Sequence, residues 1–281
     1  MPLRESHLST PEPQPAGTLD RRTVLVAALG LLATGCTGWG GGSSDPARGR
    51  VLVAGGSGRA GRYVMRELAG VGIPFRATTR NVDEARARLG DEAAGIDWVA
   101  ADLRDPAAAR EAMRGCDHVI CVIGTRELDG ANSARFVDYG AVRNLVDAAL
   151  AEDVRHFVLL TAIGVTDPQS PANRIFKGAL EWRFKGEEHL RASGLAYTIV
   201  RPGGLVDDPA GVKGVLLAQG DDWRRLRGST ITRGDLAQVL VECLRNPAAD
   251  RVTFEIANDP SLAPGAWRDA LALLRPDLKQ S

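Results

Sequence analysis

The sequence predicts an α/β protein built on a doubly wound, mostly parallel sheet with helices on both faces. Three observations predict it. From Arg50 onward, runs rich in Val, Ile and Leu alternate with amphipathic stretches, and the runs lack polar alternation, as strands covered on both faces should. The first run enters a turn with glycines at 55, 58 and 61 and leaves it as a helical pattern. The 281 residues, 44% hydrophobic and 25% charged, suffice for one large α/β unit with short extensions.

The N-terminal 36 residues read as an address. Residues 1–19 are polar and proline-rich, and Asp20-Arg21-Arg22-Thr23 then leads into an apolar stretch ending at Ala33, too short to span a bilayer comfortably. The paired arginines resemble a twin-arginine export signal. Leu31-Leu32-Ala33-Thr34-Gly35-Cys36 resembles a bacterial lipoprotein processing site with Cys36 as the lipid-attachment residue, departing from the usual pattern in carrying alanine at 33. Residues 1–36 are therefore read as a signal peptide, 37–49 as a Gly/Ser-rich tether and 50–281 as the folded domain. The expected location is the periplasm or the outer face of the cytoplasmic membrane, with membrane attachment only through a lipid on Cys36. A non-functional signal would leave the protein in the cytoplasm.

The folded part divides into strand-like runs at 50–54, 74–79, 96–101, 117–123, 155–161 and 196–200. Helical stretches fall between them, near 59–70, 82–89, 105–114, 132–151 and 174–193. The 132–151 segment sets Phe136, Val137, Val142, Leu145, Val146, Ala149 and Leu150 mostly on one stripe, as a sheet-covering helix requires. Beyond residue 200 the pattern loosens into a helix near 233–245, a strand near 252–257 and a terminal helix near 264–274, too little for an independent substrate domain.

The glycine turn is a phosphate cradle. Gly55, Ser57, Gly58, Arg59, Ala60 and Gly61 bring backbone amides and a helix N-terminus to one place, where a pyrophosphate is favoured. About 20 residues on, the second strand ends at Arg80. An acidic residue there suits the ribose hydroxyl of NAD, whereas an arginine suits the 2′-phosphate of NADP. Arg59 and Arg80 are expected to converge on that phosphate, so NADP(H) is favoured over NAD(H). Asp102-Leu103, after the third strand, either frames the adenine or begins the next helix. Ile123-Gly124 ends the fourth strand and leaves room for the nicotinamide side of the cofactor.

Composition excludes other classes. The formal charge is +0, with 35 basic and 35 acidic residues, and aromatics make up 5%, so nothing suggests a nucleic-acid partner. Cys36, Cys116, Cys121 and Cys243 form no Cys-x-x-Cys pair, and three of them fall in predicted core elements. The four histidines show no metal-ligand spacing, and no metal site is expected.

Several segments together resemble the atypical short-chain dehydrogenase/reductases of the NmrA-like, NAD(P)H-binding group, over roughly residues 50–258. They are the turn Gly55–Gly61, the stretch from Phe136 to Ala149, the run from His156 to Gly164, and above all Lys185-Gly186-Glu187 through Arg201-Pro202-Gly203-Gly204-Leu205. The resemblance implies a Rossmann-like fold, with Pro202 and Gly203 beside the cofactor. It also implies a hydroxyl residue after the fifth strand, here Thr161, to polarise a carbonyl, and a Tyr-x-x-x-Lys pair whose lysine, here Lys185, holds the ribose. Glu181 stands where that tyrosine is expected, so water or Tyr139 is left as proton source. Glu181 and Lys185, four apart on a helix, equally fit a surface ion pair. The expected function is an NADP(H)-dependent oxidoreductase acting on a small carbonyl or quinone-like substrate, with Thr161 and Lys185 as its catalytic pair. The alternative is a catalytically silent NADP(H)-binding sensor or assembly factor. Partners are the dinucleotide and an unidentified small molecule or protein, and a monomer is expected.

Overall fold

The computed structural model describes residues 49–278, apart from 126, 128, 171–172, 175–177, 223–225 and 227. The signal-peptide reading, Cys36 and the tether up to residue 48 lie outside the described residues.

The expected alternation is present. β1 (Val51–Ala54), α1 (Arg59–Gly70), β2 (Phe75–Thr79), α2 (Val82–Leu89), β3 (Asp97–Ala100), α3 (Pro106–Met113) and β4 (His118–Cys121) follow one another in the first half. α4 (Val142–Ala151), β5 (His156–Leu160), α5 (Ala179–Ala192) and β6 (Tyr197–Pro202) follow in the second. The chain then adds β7 (Gly204–Val206), β8 (Gly214–Ala218), β9 (Thr230–Thr232), α6 (Arg233–Arg245), β10 (Val252–Asp259) and a single turn, α7 (Trp267–Ala270).

The main sheet runs β3-β2-β1-β4-β5-β6-β10-β8. Every pairing in it is parallel except that of β8, which lies antiparallel on β10 with Glu255 opposite Ala218. The strand order reverses at β1, between β2 and β4, and this reversal opens the crevice in which such sheets bind ligands. Helices cover both faces. Val53, Ile120 and Phe254 pack with Val64 and Leu68 of α1 and Leu240 of α6 on one side. Leu52, Val119, Phe157 and Ile199 pack with Met113 of α3, Leu145 of α4 and Leu190 of α5 on the other. The strands are buried at successive residues because each face has its own helical layer, which is why their sequences carry no alternation.

Three expectations are corrected. The helix expected at 132–151 is a 3-10 turn at 130–132, a π-helix over Arg135–Ala141, and only then α4. The terminal helix expected at 264–274 contracts to α7 and a 3-10 turn at Leu271–Leu273. The loosened region after residue 200 contains three strands that the sequence did not predict, and β7 pairs with β9 in a separate two-stranded parallel sheet. Cys116, Cys121 and Cys243 are buried and free, as expected of core cysteines. Burial pushes the Cys116 thiol up to about 11 and the Cys121 thiol up to about 12.

Candidate dinucleotide site

The crevice at the C-terminal ends of β1, β2, β3 and β4 is a cleft of about 300 Å³. One wall is the turn after β1. Gly55 adopts φ +89, open to glycine at no cost, and its carbonyl accepts from the Gly58 amide at 2.9 Å. The turn is tied to β2 by the Gly55 amide, which donates to Thr78 Oγ1 at 3.1 Å. Gly61 lets α1 sit directly on this turn, since a Cβ there would stand 2.2 Å from the Gly55 carbonyl oxygen. α1 has Gly58 as its N-cap, with no side-chain cap and no acidic residue in its first turn. Its leading amides and positive dipole end are therefore available to an anion at the cleft. A pyrophosphate fits a cradle of this kind.

The next wall stands at the ends of β2 and β3. Arg80, Asp102, Leu103 and Arg104 line it with Arg88 of α2. Arg80 Nη1 donates to Asn132 Oδ1 at 3.2 Å, and Arg104 Nη1 donates to the same oxygen at 2.9 Å. Arg88 donates to the Ser57 carbonyl and so ties α2 to the glycine turn. Arg104 Nε holds Asp102 at 2.8 Å, and this hydrogen bond keeps the Asp102 carboxyl below the usual carboxylate range. Asp102 therefore belongs to the cleft wall. The helix-starting acid is Asp105, whose side chain accepts from the Ala107 amide at 2.9 Å. Buried Asn144 donates to the carbonyls of Leu103 and Arg104 and fixes this wall from α4.

At the far end Ile123, Gly124 and Thr125 follow β4, with Val137 and Ala141 of the π-helix opposite. Asp138, 3% exposed, accepts from Arg183 Nε at 2.7 Å and from the Thr125 amide at 3.2 Å. Burial raises the Asp138 carboxyl, and the Arg183 charge opposes that shift. Gly124 lies beside the pair: a Cβ on it would stand in ordinary contact with Arg183 Nη2, at 3.5 Å.

Not every expected residue reaches the cleft. Gly55, Ser57, Gly58, Arg80, Asp102, Leu103, Ile123 and Gly124 line it, while Ala60 and Gly61 stand behind in the first turn of α1. Arg59 does not converge with Arg80; its guanidinium is paired with Asp207, after β7. The cations that accompany Arg80 are Arg88 and Arg104, which the sequence reading missed. Lys185 is turned away: its Nζ lies 3.0 Å from Glu181 Oε1 and 4.1 Å from the Trp182 ring centre, in the exposed ion pair the spacing allows. Residues two apart on a helix differ by about 200° in direction, so the side chain of α5 that reaches Gly124 is Arg183. Gly186, Glu187 and Leu190 are buried on that same inward side of α5. Pro202 and Gly203 do not line the cleft; the Pro202 carbonyl accepts from the Ile163 amide at 3.2 Å and the Gly203 amide donates to Ile256 at 3.0 Å.

Thr161 is 7% exposed and donates from Oγ1 to Glu187 Oε1 at 2.6 Å, so its hydroxyl is used inside the protein. Glu187 is fully buried and also takes Arg201 Nε at 3.0 Å. Arg201 Nη1 reaches Glu255 Oε1 at 3.2 Å, and burial pushes the Glu255 carboxyl up to about 7. Asp221, at the edge of this cluster, accepts from the Gly164 amide at 2.6 Å and the Thr166 amide at 2.8 Å. Thr161 thus belongs to a buried charge network that fixes the loop after β5 to α5, β6 and β10.

A family model described as NAD(P)H-binding matches residues 55–247, from the glycine turn to just past α6. The chain belongs to this NAD(P)H-binding family. Among curated relatives it is 34% identical over 219 residues to Protein TIC 62, chloroplastic, of Pisum sativum, covering 70% of this chain and 40% of that one. It thus spans well under half the length of that relative. It is 28% identical over 260 residues to sanguinarine reductase of Eschscholzia californica, covering 79% of this chain and 94% of that one. Among solved structures, a putative NAD-dependent epimerase/dehydratase from Bacillus halodurans superposes with a TM-score of 0.66 at 27% identity, covering 80% of this chain and 97% of that one. Members of this family bind a nicotinamide dinucleotide, and the crevice at β1 is where this chain has the residues to do so.

Proposed function

We propose that the protein is an NADP(H)-dependent oxidoreductase of the atypical short-chain dehydrogenase/reductase type, acting on a small carbonyl or quinone-like acceptor. One observation carries the cofactor reading: three arginines, Arg80, Arg88 and Arg104, line one end of the cleft against two carboxylates, Asp102 and Glu127. A 2′-phosphate matches that excess of positive charge better than a ribose hydroxyl does. Reductases among the relatives support the activity, sanguinarine reductase and the NAD(P)H azoreductase of Xenophilus azovorans in particular.

Within this reading the chain binds and orients. The α1 amides and Gly55–Gly58 hold the pyrophosphate, Arg80 with its neighbours holds the 2′-phosphate, and Arg183, fixed by Asp138, sits at the nicotinamide end in the place the resemblance gives to Lys185. NADPH, when bound, supplies the hydride. Export through the residues up to Cys36, with lipid on that cysteine, is part of the proposal and rests on the sequence of that segment. Mass spectrometry of the protein from native membranes checks it: an unprocessed, unmodified chain would count against export.

The alternative, a silent NADP(H)-binding sensor or assembly factor, is favoured by the engagement of the Thr161 hydroxyl with Glu187. Calorimetric titration with NADPH and NADH, followed by NADPH oxidation with a quinone, separates the readings. Arg80→Ala is expected to weaken NADPH binding about five- to tenfold and leave NADH binding nearly unchanged, as suits a charge-assisted bond at an exposed site. Equal weakening of both would refute the 2′-phosphate assignment. Tight NADPH binding without turnover would leave the silent reading standing.

A further inference from the structure

Asp207 lies just past β7 and is the point where the phosphate helix meets the C-terminal part of the chain. Its carboxylate is paired with Arg59, the first residue of α1. It also accepts from Arg233 Nη1, at the start of α6, at 2.8 Å, and the Tyr63 hydroxyl stands at 3.5 Å. The two arginines differ in freedom. The side chain of Arg233 is 4% exposed, whereas that of Arg59 is 62% exposed. Arg233 Nε is buried without a partner, so Asp207 is its principal charge compensation. The segment after Asp207 is tied to α6 as well, because the Gly211 amide donates to Asp235 Oδ1 at 2.7 Å. Asp207 is thus a fixed anion, held from the α6 side whether or not Arg59 is present. Arg59 is an exposed cation within the glycine turn, at the first residue of α1.

We propose that Asp207 is an internal competitor for the cofactor's phosphates: it holds Arg59 off the cradle, and dinucleotide binding proceeds against this ion pair, so Asp207 sets the affinity of the site. The same first turn of α1 offers Arg59 two anions, a carboxylate built into the fold and a phosphate that comes and goes. A long, exposed arginine reaches either one by side-chain rotation alone, whereas Arg233 is fixed in place and cannot follow. Removing the carboxylate's charge therefore frees one cation for the phosphates at no cost to the amides that bind them. The sign separates this role from a structural one, since a residue that merely shaped the cradle would lower affinity when changed.

The experiment titrates NADPH into the full chain and into Asp207→Asn, Arg59→Ala and the double variant, by calorimetry at low ionic strength. Asp207→Asn keeps an acceptor for Arg233. It is expected to bind NADPH about two- to fivefold more tightly, the range of an exposed ion pair. Arg59→Ala is expected to bind more weakly than wild type, and the double variant to match Arg59→Ala. Asp207→Ser, which retains a smaller acceptor, serves the same comparison should the asparagine variant melt early. Unchanged or weaker binding by both Asp207 variants would overturn the inference, as would a gain that survives in the Arg59→Ala background. Wild-type protein that fails to bind NADPH at all would overturn the cofactor assignment and this inference with it.

Discussion

Gly61→Ala tests whether the glycine turn works by close packing, and its effect can be worked from distances. A Cβ at Gly61 would lie 2.2 Å from the Gly55 carbonyl oxygen and 2.7 Å from Gly56 Cα. An ordinary contact needs about 1 Å more, and both obstacles are backbone, so the turn must lift off α1 by that amount. Overpacking of this kind costs about 1–3 kcal/mol. The movement also strains the 2.9 Å hydrogen bond from Gly58 to Gly55, in the turn proposed to hold the pyrophosphate. Expected together are a lower denaturation midpoint and a loss of at least about tenfold in NADPH affinity, since a 1 Å misplacement defeats hydrogen-bond geometry. Gly70, at the other end of the same helix, is the control, because a Cβ there meets nothing within 4 Å. Gly70→Ala should leave affinity unchanged and raise stability by up to about 1 kcal/mol through helix propensity. Urea denaturation and calorimetry read both variants. A Gly61→Ala protein with wild-type midpoint and wild-type NADPH affinity would refute the packing argument.

The remaining predictions concern the buried charges. Glu187→Ala leaves Arg201 without its nearest carboxylate in a dry environment and should cost about 3–5 kcal/mol of stability, read as a lowered denaturation midpoint. Arg183→Gln leaves Asp138 buried and unpaired; because an unpaired buried carboxylate takes up a proton, the loss of stability should be larger at pH 8 than at pH 5. Glu255 is raised by burial to about 7 from an ordinary value of 4.5. Between those values the folded state binds the extra proton, so this group makes stability fall as pH rises. His156 acts in the opposite sense, lowered by burial to about 4 from 6.5, and makes stability rise with pH through that window. The difference in melting temperature between wild type and Glu255→Gln should therefore shift against wild type as pH is raised from 5 to 8, and a pH-independent difference would refute the assignment.

What was legible in the sequence follows from how each feature is specified. The parallel strands from β1 to β6 and α1 to α3 were readable because each is set by its own residues: apolar runs, a glycine turn, an N-cap such as Asp105. The π-helix at Arg135–Ala141 was not, since its stripe of apolar residues is also that of an ordinary helix. Asp138 within it is held by Arg183 and the Thr125 amide, partners that lie outside the segment. β8 was missed because Gly214–Ala218 is short and gains its pairing only from β10, some 40 residues on. At the site the cofactor half was readable for the same local reason. The direction of α5 was not. The spacing of Glu181 and Lys185 fits a ribose-holding face and a solvent ion pair alike, and only the packing of Gly186, Glu187 and Leu190 turns Arg183 inward. Thr161 was misread because its partner, Glu187, lies 26 residues away on another element.

The choice between acceptor classes can be argued from the proton. Reducing a simple ketone places charge on an oxygen that must be protonated as the hydride arrives, and a positioned acid contributes about 10²- to 10⁴-fold to such a step. The chain has three tyrosines. Tyr197 donates to Asp277 at 2.8 Å on β6, in the sheet and away from the cleft, and burial pushes its hydroxyl further up. Tyr63 lies on α1, near Asp207, and Tyr139 packs beside Trp182 with ring centres 6.0 Å apart. Thr161 is engaged by Glu187. Arg183, held by Asp138 near Gly124, is a cation that can stabilise negative charge. Among the described residues no tyrosine lines the cleft, and a cation there suits an acceptor whose reduced anion is stable until water protonates it, which describes a quinone better than a ketone. Wild-type protein should accordingly reduce 1,4-naphthoquinone with a kcat/KM at least about a hundredfold above that for a simple aliphatic ketone. A comparable rate on the ketone would show that an acid is present after all, and Tyr139→Phe would then identify or eliminate its one remaining tyrosine.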